Sequence, residues 1–481
     1  MIKIAGTTEI AVISIYFLCL MFLGYLGFRK TKTFADYILG NRKLGPLVGA
    51  MNVGASDMSS WILMGLPAAF YLFGMNQIWV VIGLIVGSFA SWVLIAKRLR
   101  KYTEIAGNSL TVSSFLENRF RDDTKILRII TSIITIFFFT IYIASGFVGS
   151  AKLFTQLFGI EYQTSLLISC FAIVSYALIG GFLAVSWADL FQGTLMLFAL
   201  LIIPAVMFFN IDFAIISSTL QAEENYLNPF HDITFMGIVG IFAWGLGYFG
   251  QPHIISKYMA IKDPEKIATS RNICISWMIL SLIASSSLGI IGFVYFKNSP
   301  LPEPETIFII SALQLFPPIV VGILISAVLS AIMSTINAQI IICCSSLSED
   351  VYHRFFRKKA KDKEMLLVTK LFVVLIAAIS AFIASGQNSS VLQLVARAWA
   401  GLGASIGPVI IFALFWKKTT KLGAIAGVVS GACGSVFFSH YKLFSYEIFP
   451  AFLLSCIMIF IVSTFTKQHD EIAIAKEFEL I

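Results

Sequence analysis

A carboxylate and several hydroxyl groups lie inside a long apolar stretch near the start of the chain. Asp57 stands within GASDMSS, residues 54–60, and the segment 46–73 around it is long enough to cross a membrane. A charged Asp at the centre of a membrane helix costs about 2.5–3.5 kcal/mol on insertion scales, so such a residue usually has a functional or pairing role. Glycine and proline in the same stretch weaken the helix, and a backbone carbonyl freed at membrane depth needs a partner such as a cation.

Two later apolar segments carry a similar mixture of residues. Segment 233–255 is rich in glycine, and segment 316–346 contains several serines and a threonine. Broken helices of this kind bind ions and substrates near the midplane of transporters. Trp244 and Tyr248 are one helical turn apart, which predicts that they share one face, either as packing residues or as the wall of a substrate site.

The composition predicts a polytopic α-helical membrane protein. The chain of 481 residues is 58% hydrophobic and only 12% charged, whereas soluble domains are about 25% charged. Its apolar runs lack the alternation of β-barrel strands. The net charge of +8 comes from lysines and arginines in short loops and does not indicate nucleic-acid binding. Because the sequence shows no nucleophile–base set, metal-ligand cluster or CxxC motif, we expect neither an enzyme nor a resident cofactor.

Hydropathy predicts about thirteen spans, numbered 1 to 13 along the chain. Their expected ranges are 7–28, 46–73, 77–97, 127–157, 162–183, 187–209, 233–255, 273–296, 316–346, 366–386, 392–415, 422–440 and 445–466. Each approaches or exceeds the roughly 20 residues that a bilayer requires. We expect one transmembrane domain over residues 1–470, with a first span that is retained, followed by a short cytoplasmic tail at 471–481.

The charges in the loops predict the orientation of the chain. The loops after spans 1, 3, 7, 9 and 11 are rich in lysine and arginine, and Lys257 is counted with the loop after span 7. The loop 210–232 has neither residue type. The positive-inside rule therefore places the N-terminus outside and the C-terminus in the cytoplasm.

The two broken helices are separated by five spans and run in opposite directions. This arrangement predicts two inverted repeats of five helices, spans 2–6 over about 46–209 and spans 7–11 over about 233–415. The prediction rests on topology, because no repeat of individual residues is visible.

Two further charged residues lie in or near the spans. Asp189, in AVSWADLFQ near the expected start of span 6, is either a helix cap or part of an ion path. Arg397 lies near the outer end of span 11, where it can extend to the membrane surface, and we predict no function for it.

Six motifs, in their order and spacing, resemble the sodium/solute symporter family and within it the bacterial sodium/proline symporters. They are LGNRKLGP, GASDMSSWILMGLP, ALIGGFLAVSWADLFQ, WGLGYFGQPHI, AIMSTINAQ and SEDVY, and the similarity extends from about residue 5 to about residue 465. The resemblance implies a leucine-transporter-like fold of thirteen helices and Na⁺-coupled import of L-proline by alternating access. It also implies a bacterial plasma (inner) membrane as the location, with membrane lipid around the helices.

The resemblance further implies a sodium site between spans 2 and 9. The ligands at the matching positions would be the carbonyls of Ala55, Met58 and Ala331 and the hydroxyls of Ser334 and Thr335. Oxygen ligands of this kind suit a hard cation. Asp57 would be the essential carboxylate near the site, either touching the ion or organising the backbone, and Ser59 would be a polar neighbour of sodium or substrate.

For proline, the matching positions lie on spans 4 and 7. They are Tyr142, Trp244, Tyr248 and Pro252. A pyrrolidine ring suits an aromatic wall, and its carboxylate and ammonium suit helix ends and hydroxyls. Arg42 matches a functionally important position near the inner side, although it also fits a charge that only sets orientation.

Two residues depart from the pattern of the family. Ser60 stands where glycine is expected, and Asn337 stands where serine is expected. Because both lie within two residues of expected site positions, another small carboxylate such as pantothenate is an alternative substrate. A membrane sensor built on a transporter-like domain is a second alternative, although no appended kinase or receiver domain supports it.

Overall fold

The computed structural model describes residues 6–31, 33–179, 181–386, 390–468 and 470–480. Regular secondary structure in these ranges is helical, apart from an isolated backbone bridge between Leu44 and Ile261. The predicted all-α fold is confirmed. Its physical reason is that a chain inside lipid must satisfy its backbone hydrogen bonds internally, which a helix does within one segment.

All thirteen predicted spans are found in the described residues. Spans 2, 3 and 7 consist of consecutive helical pieces. The bounds, from span 1 to span 13, are Thr7–Lys30; Pro46–Asp57, Trp61–Gly65 and Leu66–Phe73; Ile78–Ser91, Trp92–Ala96 and Lys97–Ile105; Ile126–Phe158; Tyr162–Ile179; Phe182–Phe209; Phe235–Phe242, Ala243–Phe249 and Pro252–Ala260; Ile267–Tyr295; Pro318–Ser345; Asp362–Ala384; Val391–Phe415; Lys421–Tyr441; and Ile448–Phe465.

The lengths of the helices agree with a membrane location. Ten helical segments in the described ranges are long and apolar enough to span a membrane, by length and composition. Three of the thirteen predicted spans are not among these ten as continuous long helices. Span 5 is a shorter apolar helix, and spans 2 and 7 are broken into pieces.

The two broken helices run in opposite directions. At one end of the bundle, the backbone of Leu44, just before span 2, bonds to Ala260 and Lys262 at the end of span 7, with N···O distances of 3.2 and 2.9 Å. At the other end, the backbone N–H of Met75, after span 2, donates to the carbonyl of Tyr226, before span 7, at 2.8 Å. This is the antiparallel placement that inverted repeats require. We call these two ends the basic end and the opposite end, respectively.

The glycines of span 7 allow the backbones of other spans to come close. A Cβ added at Gly245 would lie 2.1 Å from the carbonyl oxygen of Gly83 in span 3. A Cβ added at Gly250 would lie 2.6 Å from the carbonyl oxygen of Leu402 in span 11. Any larger residue would push these helices apart, so tight packing explains the glycines. The same glycines weaken the helix at the point where it breaks.

Helices extend into several of the predicted loops. Span 6 begins at Phe182 instead of 187. Lys97–Ile105 continues span 3, Ser346–Phe356 continues span 9 as a π-helix, and the tail contains the helix Glu471–Glu479. A hydropathy window ends a span where charges begin, whereas backbone hydrogen bonding continues past them.

Candidate functional site

Span 2 is interrupted directly after Asp57. Its first half-helix ends at this residue, Met58 has non-helical angles (φ −83°, ψ 79°), and the chain resumes as a π-helix at Trp61. Serines at 59 and 60 favour the break because their hydroxyls compete with the backbone for hydrogen bonds. The carbonyl of Asp57 accepts a hydrogen bond from the Trp61 indole at 3.1 Å, so backbone oxygens at the break take side-chain partners.

Span 7 is interrupted over residues 243–251. Ala243–Phe249 is a 3₁₀-helix, and the second half-helix begins at Pro252. Proline suits this first position because its missing N–H would have no partner there in any case. Pro252 and His253 are buried, so the electropositive start of this half-helix lies inside the bundle.

A hydrogen bond between the two breaks joins an expected sodium residue to an expected substrate residue. The hydroxyl of Tyr248 donates to Oδ2 of Asp57 at 2.5 Å, and both side chains are buried. Oδ1 of Asp57 is buried without a hydrogen-bond partner in the described residues. A buried carboxylate is costly unless its charge is balanced, so the free oxygen suits a cation.

The expected ligands of spans 2 and 9 also come together. Oγ of Ser334 donates to the carbonyl of Ala55 at 2.7 Å and lies 3.3 Å from the carbonyl oxygen of Ala331. Oγ1 of Thr335 is buried and has no partner among the residues described, and Met58 is fully buried at the break. Carbonyl and hydroxyl oxygens are the donors that a hard cation prefers, so these residues fit Na⁺.

The prediction that Trp244 and Tyr248 share one helix face is wrong. It assumed 3.6 residues per turn, whereas the segment is a 3₁₀-helix, in which residues four apart differ by about 120°. Trp244 stacks on Tyr446, with ring centroids 4.9 Å apart, and its carbonyl accepts from Nε1 of Trp399 at 2.7 Å. Packing accounts for these contacts of Trp244, and its contact with substrate stays a prediction.

Tyr142, Ser59 and His253 share a feature, which is that each has buried polar atoms without a partner in the described residues. The hydroxyl oxygens of Tyr142 and Ser59 are buried without a hydrogen-bond partner in the described residues. The ring of His253 meets that of Tyr142 edge-on at 6.1 Å, and both its nitrogens are buried without partners in the described ranges. Because buried polar groups normally have partners, these atoms indicate where a polar ligand binds. The sequence feature that could have identified His253 as a site residue is its position directly after Pro252, at the break of span 7.

Asp189 is not a helix cap. Because span 6 begins at Phe182, Asp189 lies about two turns inside the helix, where it is fully buried. Nζ of Lys257 lies 3.3 Å from Oδ2 of Asp189 and donates to the carbonyl of Asn52 at 2.9 Å. The pair thus connects spans 6, 7 and 2. A role for Asp189 in an ion path stays a prediction.

The prediction that Lys257 belongs to a basic loop is also wrong. Its side chain is 3% exposed and lies within the half-helix Pro252–Ala260. The hydropathy window ended span 7 at 255 because charges follow, although residues 258–261 are again apolar. Those apolar residues after Lys257 could have indicated that the helix continues and that the lysine is buried.

Arg42 holds the basic end together. Its guanidinium donates to the carbonyls of Met259 and Ser109, each at 2.8 Å, and to the hydroxyl of Thr103 at 3.1 Å. Burial, together with nearby Arg100, lowers the pKa of Arg42 to about 10, which leaves the side chain charged at neutral pH. A charge that only sets orientation needs no such contacts. Arg42 is therefore also a structural link between the loop before span 2, the end of span 3 with the loop that follows it, and the end of span 7.

The two residues that depart from the family pattern are both buried. Ser60 faces span 4 at Gly149, where an added Cβ would lie 3.0 Å from Cβ of Ser60. Asn337 is 1% exposed, and neither polar atom of its side chain has a partner in the part of the chain described. Gly149 therefore makes room for Ser60, and Asn337 adds an unpaired polar group to span 9.

Arg397 is exposed, as predicted, and lines a surface cavity with Glu447.

Comparison with known sequences agrees with this arrangement. The sequence profile of the sodium:solute symporter family matches residues 37–431. The high-affinity proline transporter PutP of Bacillus subtilis (strain 168) is 44% identical over 465 residues, which cover 95% of this chain and 98% of that protein. The sodium/proline symporter of Haemophilus influenzae is 41% identical over 478 residues, covering 95% of this chain and 94% of that protein.

Solved structures show the same fold. A substrate-bound, outward-open Na⁺-coupled sialic acid symporter superimposes with a TM-score of 0.83, at 18% identity over 97% of this chain and all (100%) of that one. Mhp1, a transporter of the nucleobase-cation-symport-1 family, superimposes with a TM-score of 0.56 at 14% identity, covering 94% and 99% of the two chains. The chain therefore has the leucine-transporter-like fold with two inverted repeats, and by its sequence it belongs to the sodium:solute symporter family.

Proposed function

We propose that this protein is a secondary symporter that imports L-proline together with Na⁺ by alternating access. The observation that carries the proposal is the hydrogen bond between Tyr248 and Asp57, which joins the breaks of the two repeats. Relatives with 41–44% identity are named proline transporters or sodium/proline symporters, and this supports proline as the solute.

In this proposal, Na⁺ binds between the break of span 2 and span 9. Its ligands are the carbonyls of Ala55, Met58 and Ala331 and the hydroxyls of Ser334 and Thr335. The incoming ion takes over the carbonyl of Ala55, which the Ser334 hydroxyl now occupies, and Asp57 supplies the negative charge. Binding links the two spans, and it shifts the equilibrium between open and closed states by its differential affinity for them.

Proline binds beside this ion. Tyr248 and Tyr142 supply the aromatic wall for the pyrrolidine ring. The electropositive end of the half-helix at Pro252 favours the carboxylate. The unpaired groups of Ser59 and His253 offer hydrogen bonds to the charged ends of the substrate.

The proposed orientation follows the positive-inside rule in a bacterial plasma membrane. The basic end then faces the cytoplasm, with the N-terminus outside and the C-terminus inside. Inward movement of one Na⁺ gains about 2.3 kcal/mol per 100 mV of membrane potential, which drives proline accumulation. Arg42 belongs to the closure of the inner side, and Asp189 lies on the path by which Na⁺ leaves.

Uptake of radiolabelled L-proline into proteoliposomes tests the proposal. We expect accumulation when an inward Na⁺ gradient is present and none when K⁺ replaces Na⁺ on both sides. Liposomes without protein provide the background. Uptake that is indifferent to Na⁺ contradicts the central claim.

Competition separates proline from another small carboxylate. We expect excess unlabelled proline to suppress uptake of the label and excess pantothenate to leave it unchanged. If pantothenate competes and is itself accumulated with Na⁺, proline is replaced as the substrate while the symport mechanism stands.

We expect Arg42→Lys to slow proline uptake although it keeps the positive charge. Lysine cannot donate in the guanidinium's fork geometry to acceptors on three elements. A hydrogen bond from a charged group contributes about 1.5–3 kcal/mol, so we expect a decrease in the initial rate on the order of tenfold. The measurement is initial uptake, normalised to the amount of reconstituted protein.

Lys43→Gln is the matched control for Arg42. Lys43 is the next residue and is exposed, so its removal tests the effect of charge alone. We expect uptake to stay near the wild-type rate. If Arg42→Lys is active and Lys43→Gln is not, the role of this segment is orientation and not closure.

A further inference from the structure

A cavity at the basic end lies apart from the transport site. It has a volume of about 710 Å³ and is bounded by the loop after span 11 and the end of span 13. Its lining includes Trp416, Lys417, Lys418 and Phe460 together with hydroxyl and amide side chains. We propose that this cavity binds the phosphate headgroup of an anionic phospholipid.

The charge of the cavity favours an anion. Lys417 and Lys418 are both exposed, and neither forms an ion pair within the ranges that the structure describes. Nζ of Lys417 lies 5.8 Å from the centre of the Phe478 ring. Glu471 is the carboxylate among the described lining residues. Two lysines against one carboxylate leave a net positive charge.

The cavity lies where the headgroup of a lipid is expected. Trp416 directly follows span 11 and stacks on Phe460 of span 13, with ring centroids 5.4 Å apart. Aromatic residues at the ends of spans mark the level of the lipid headgroups. On span 13, Phe460 and Phe465 are 56% and 85% exposed, which offers an apolar surface for acyl chains next to the lysines.

The tail helix gives this cavity a wall that is fixed to the rest of the protein. Glu471 begins the helix, and Glu477 near its end bonds to Nη2 of Arg121 at 2.8 Å. Ile474 and Phe478 are 2% and 7% exposed, so the helix is packed against the bundle. The wall that the tail contributes is therefore held in place by an ion pair and by apolar burial.

Phosphate is the chemistry that the two lysines recognise, and it could come from a lipid or from a free anion. The stacked aromatic pair and the exposed phenylalanines of span 13 favour the lipid, because a free anion gains nothing from them. Basic pockets between membrane helices on the cytoplasmic side bind anionic headgroups in this way.

Native mass spectrometry of the full-length protein in detergent tests the proposal. Phosphatidylglycerol and phosphatidylcholine with the same acyl chains are titrated separately, and the bound fraction is counted. We expect the wild type to bind phosphatidylglycerol more tightly. Each lysine near an anionic headgroup contributes about 1 kcal/mol, so we expect Lys417→Gln with Lys418→Gln to weaken that binding on the order of tenfold or more.

Lys358→Gln with Lys359→Gln is the matched control. These two adjacent lysines are also exposed and lie in the loop after span 9, outside the cavity. We expect this variant to bind phosphatidylglycerol like the wild type. Equal thermal unfolding of both double variants without added lipid shows that each is folded.

Three results would overturn the proposal. The first is unchanged binding after substitution of Lys417 and Lys418, and the second is an equal loss in the control variant, which would mean attraction by total charge. The third is displacement of the lipid by inorganic phosphate at the same concentration, which would identify a site for a free anion. None of these results depends on proline transport.

Discussion

Replacement of Asp57 by asparagine is expected to lower the affinity for Na⁺ on the order of 100-fold, or about 2.8 kcal/mol, and to abolish concentrative proline uptake. Asparagine has nearly the same shape but no charge. Two unit charges about 4 Å apart attract each other by about 4 kcal/mol at an effective dielectric constant near 20. Oδ1 of Asp57 is buried without a partner in the described residues, so this oxygen is available to the ion.

Tyr248→Phe distinguishes the effect of the Asp57 charge from the effect of the hydrogen bond that positions the carboxylate. The variant keeps the carboxylate but removes the donor that lies 2.5 Å from Oδ2. A hydrogen bond to a charged group contributes about 1.5–3 kcal/mol. We therefore expect a smaller loss than in Asp57→Asn, on the order of tenfold in the Na⁺ concentration that gives half-maximal uptake.

The Na⁺ dependence of proline uptake measures both effects. Glu224→Gln, which removes an exposed carboxylate from the loop before span 7, is the control and should match the wild type. Wild-type Na⁺ affinity in Asp57→Asn would refute the assigned role of the carboxylate. If Tyr248→Phe lowers proline affinity while the Na⁺ dependence is unchanged, the tyrosine serves the substrate and not the ion site.

Replacement of Lys257 by methionine is expected to destabilise the fold by about 3–5 kcal/mol, because it leaves the buried carboxylate of Asp189 unpaired. Asp189 is 0% exposed and Lys257 is 2% exposed. In Asp189→Asn alone, the ammonium of Lys257 keeps its hydrogen bond to the carbonyl of Asn52 but loses the charge that balances it. The double variant removes both charges together, so we expect it to recover most of the lost stability.

Thermal or denaturant unfolding of the four proteins in one detergent measures the coupling between the two residues. Lys262→Met is the matched control, because Lys262 is exposed and lies five residues further along the chain. If the single variants are as stable as the wild type, the pair does not contribute in the way that its burial implies.

Transport by the double variant then distinguishes two roles of Asp189. If the pair serves structure alone, the restored fold transports proline with wild-type dependence on Na⁺. If the carboxylate also lies on the path of Na⁺, the double variant is stable but the Na⁺ dependence of its uptake is altered. We expect the second result, because Oδ1 of Asp189 has no partner in the described residues.

The sequence by itself determined the membrane architecture. Apolar runs of sufficient length predict helices because lipid leaves the backbone no other partners. The break at Asp57 and the glycine-rich break before Pro252 were also predicted, since helix-breaking residues act over a few positions of the chain. Their opposite directions followed from counting the spans between them.

Contacts between distant residues required the tertiary structure. Tyr248 and Asp57 are 191 positions apart, and Lys257 and Asp189 are 68 positions apart. No helical period relates such residues. The resemblance to a known family predicted that spans 2 and 9 meet, but it did not predict the partner of Asp189.

Two local predictions failed because the surroundings override local preference. Trp244 and Tyr248 diverge because the segment between them is a 3₁₀-helix, where Gly245 lies against the backbone of Gly83. Lys257 carries a charge that places it in a loop by hydropathy, yet Asp189 and the carbonyl of Asn52 hold it inside the bundle. The local sequence thus determines the number and length of the helices and the places where they break. The type of helix at a close contact and the partners of buried charges depend instead on which helices pack together.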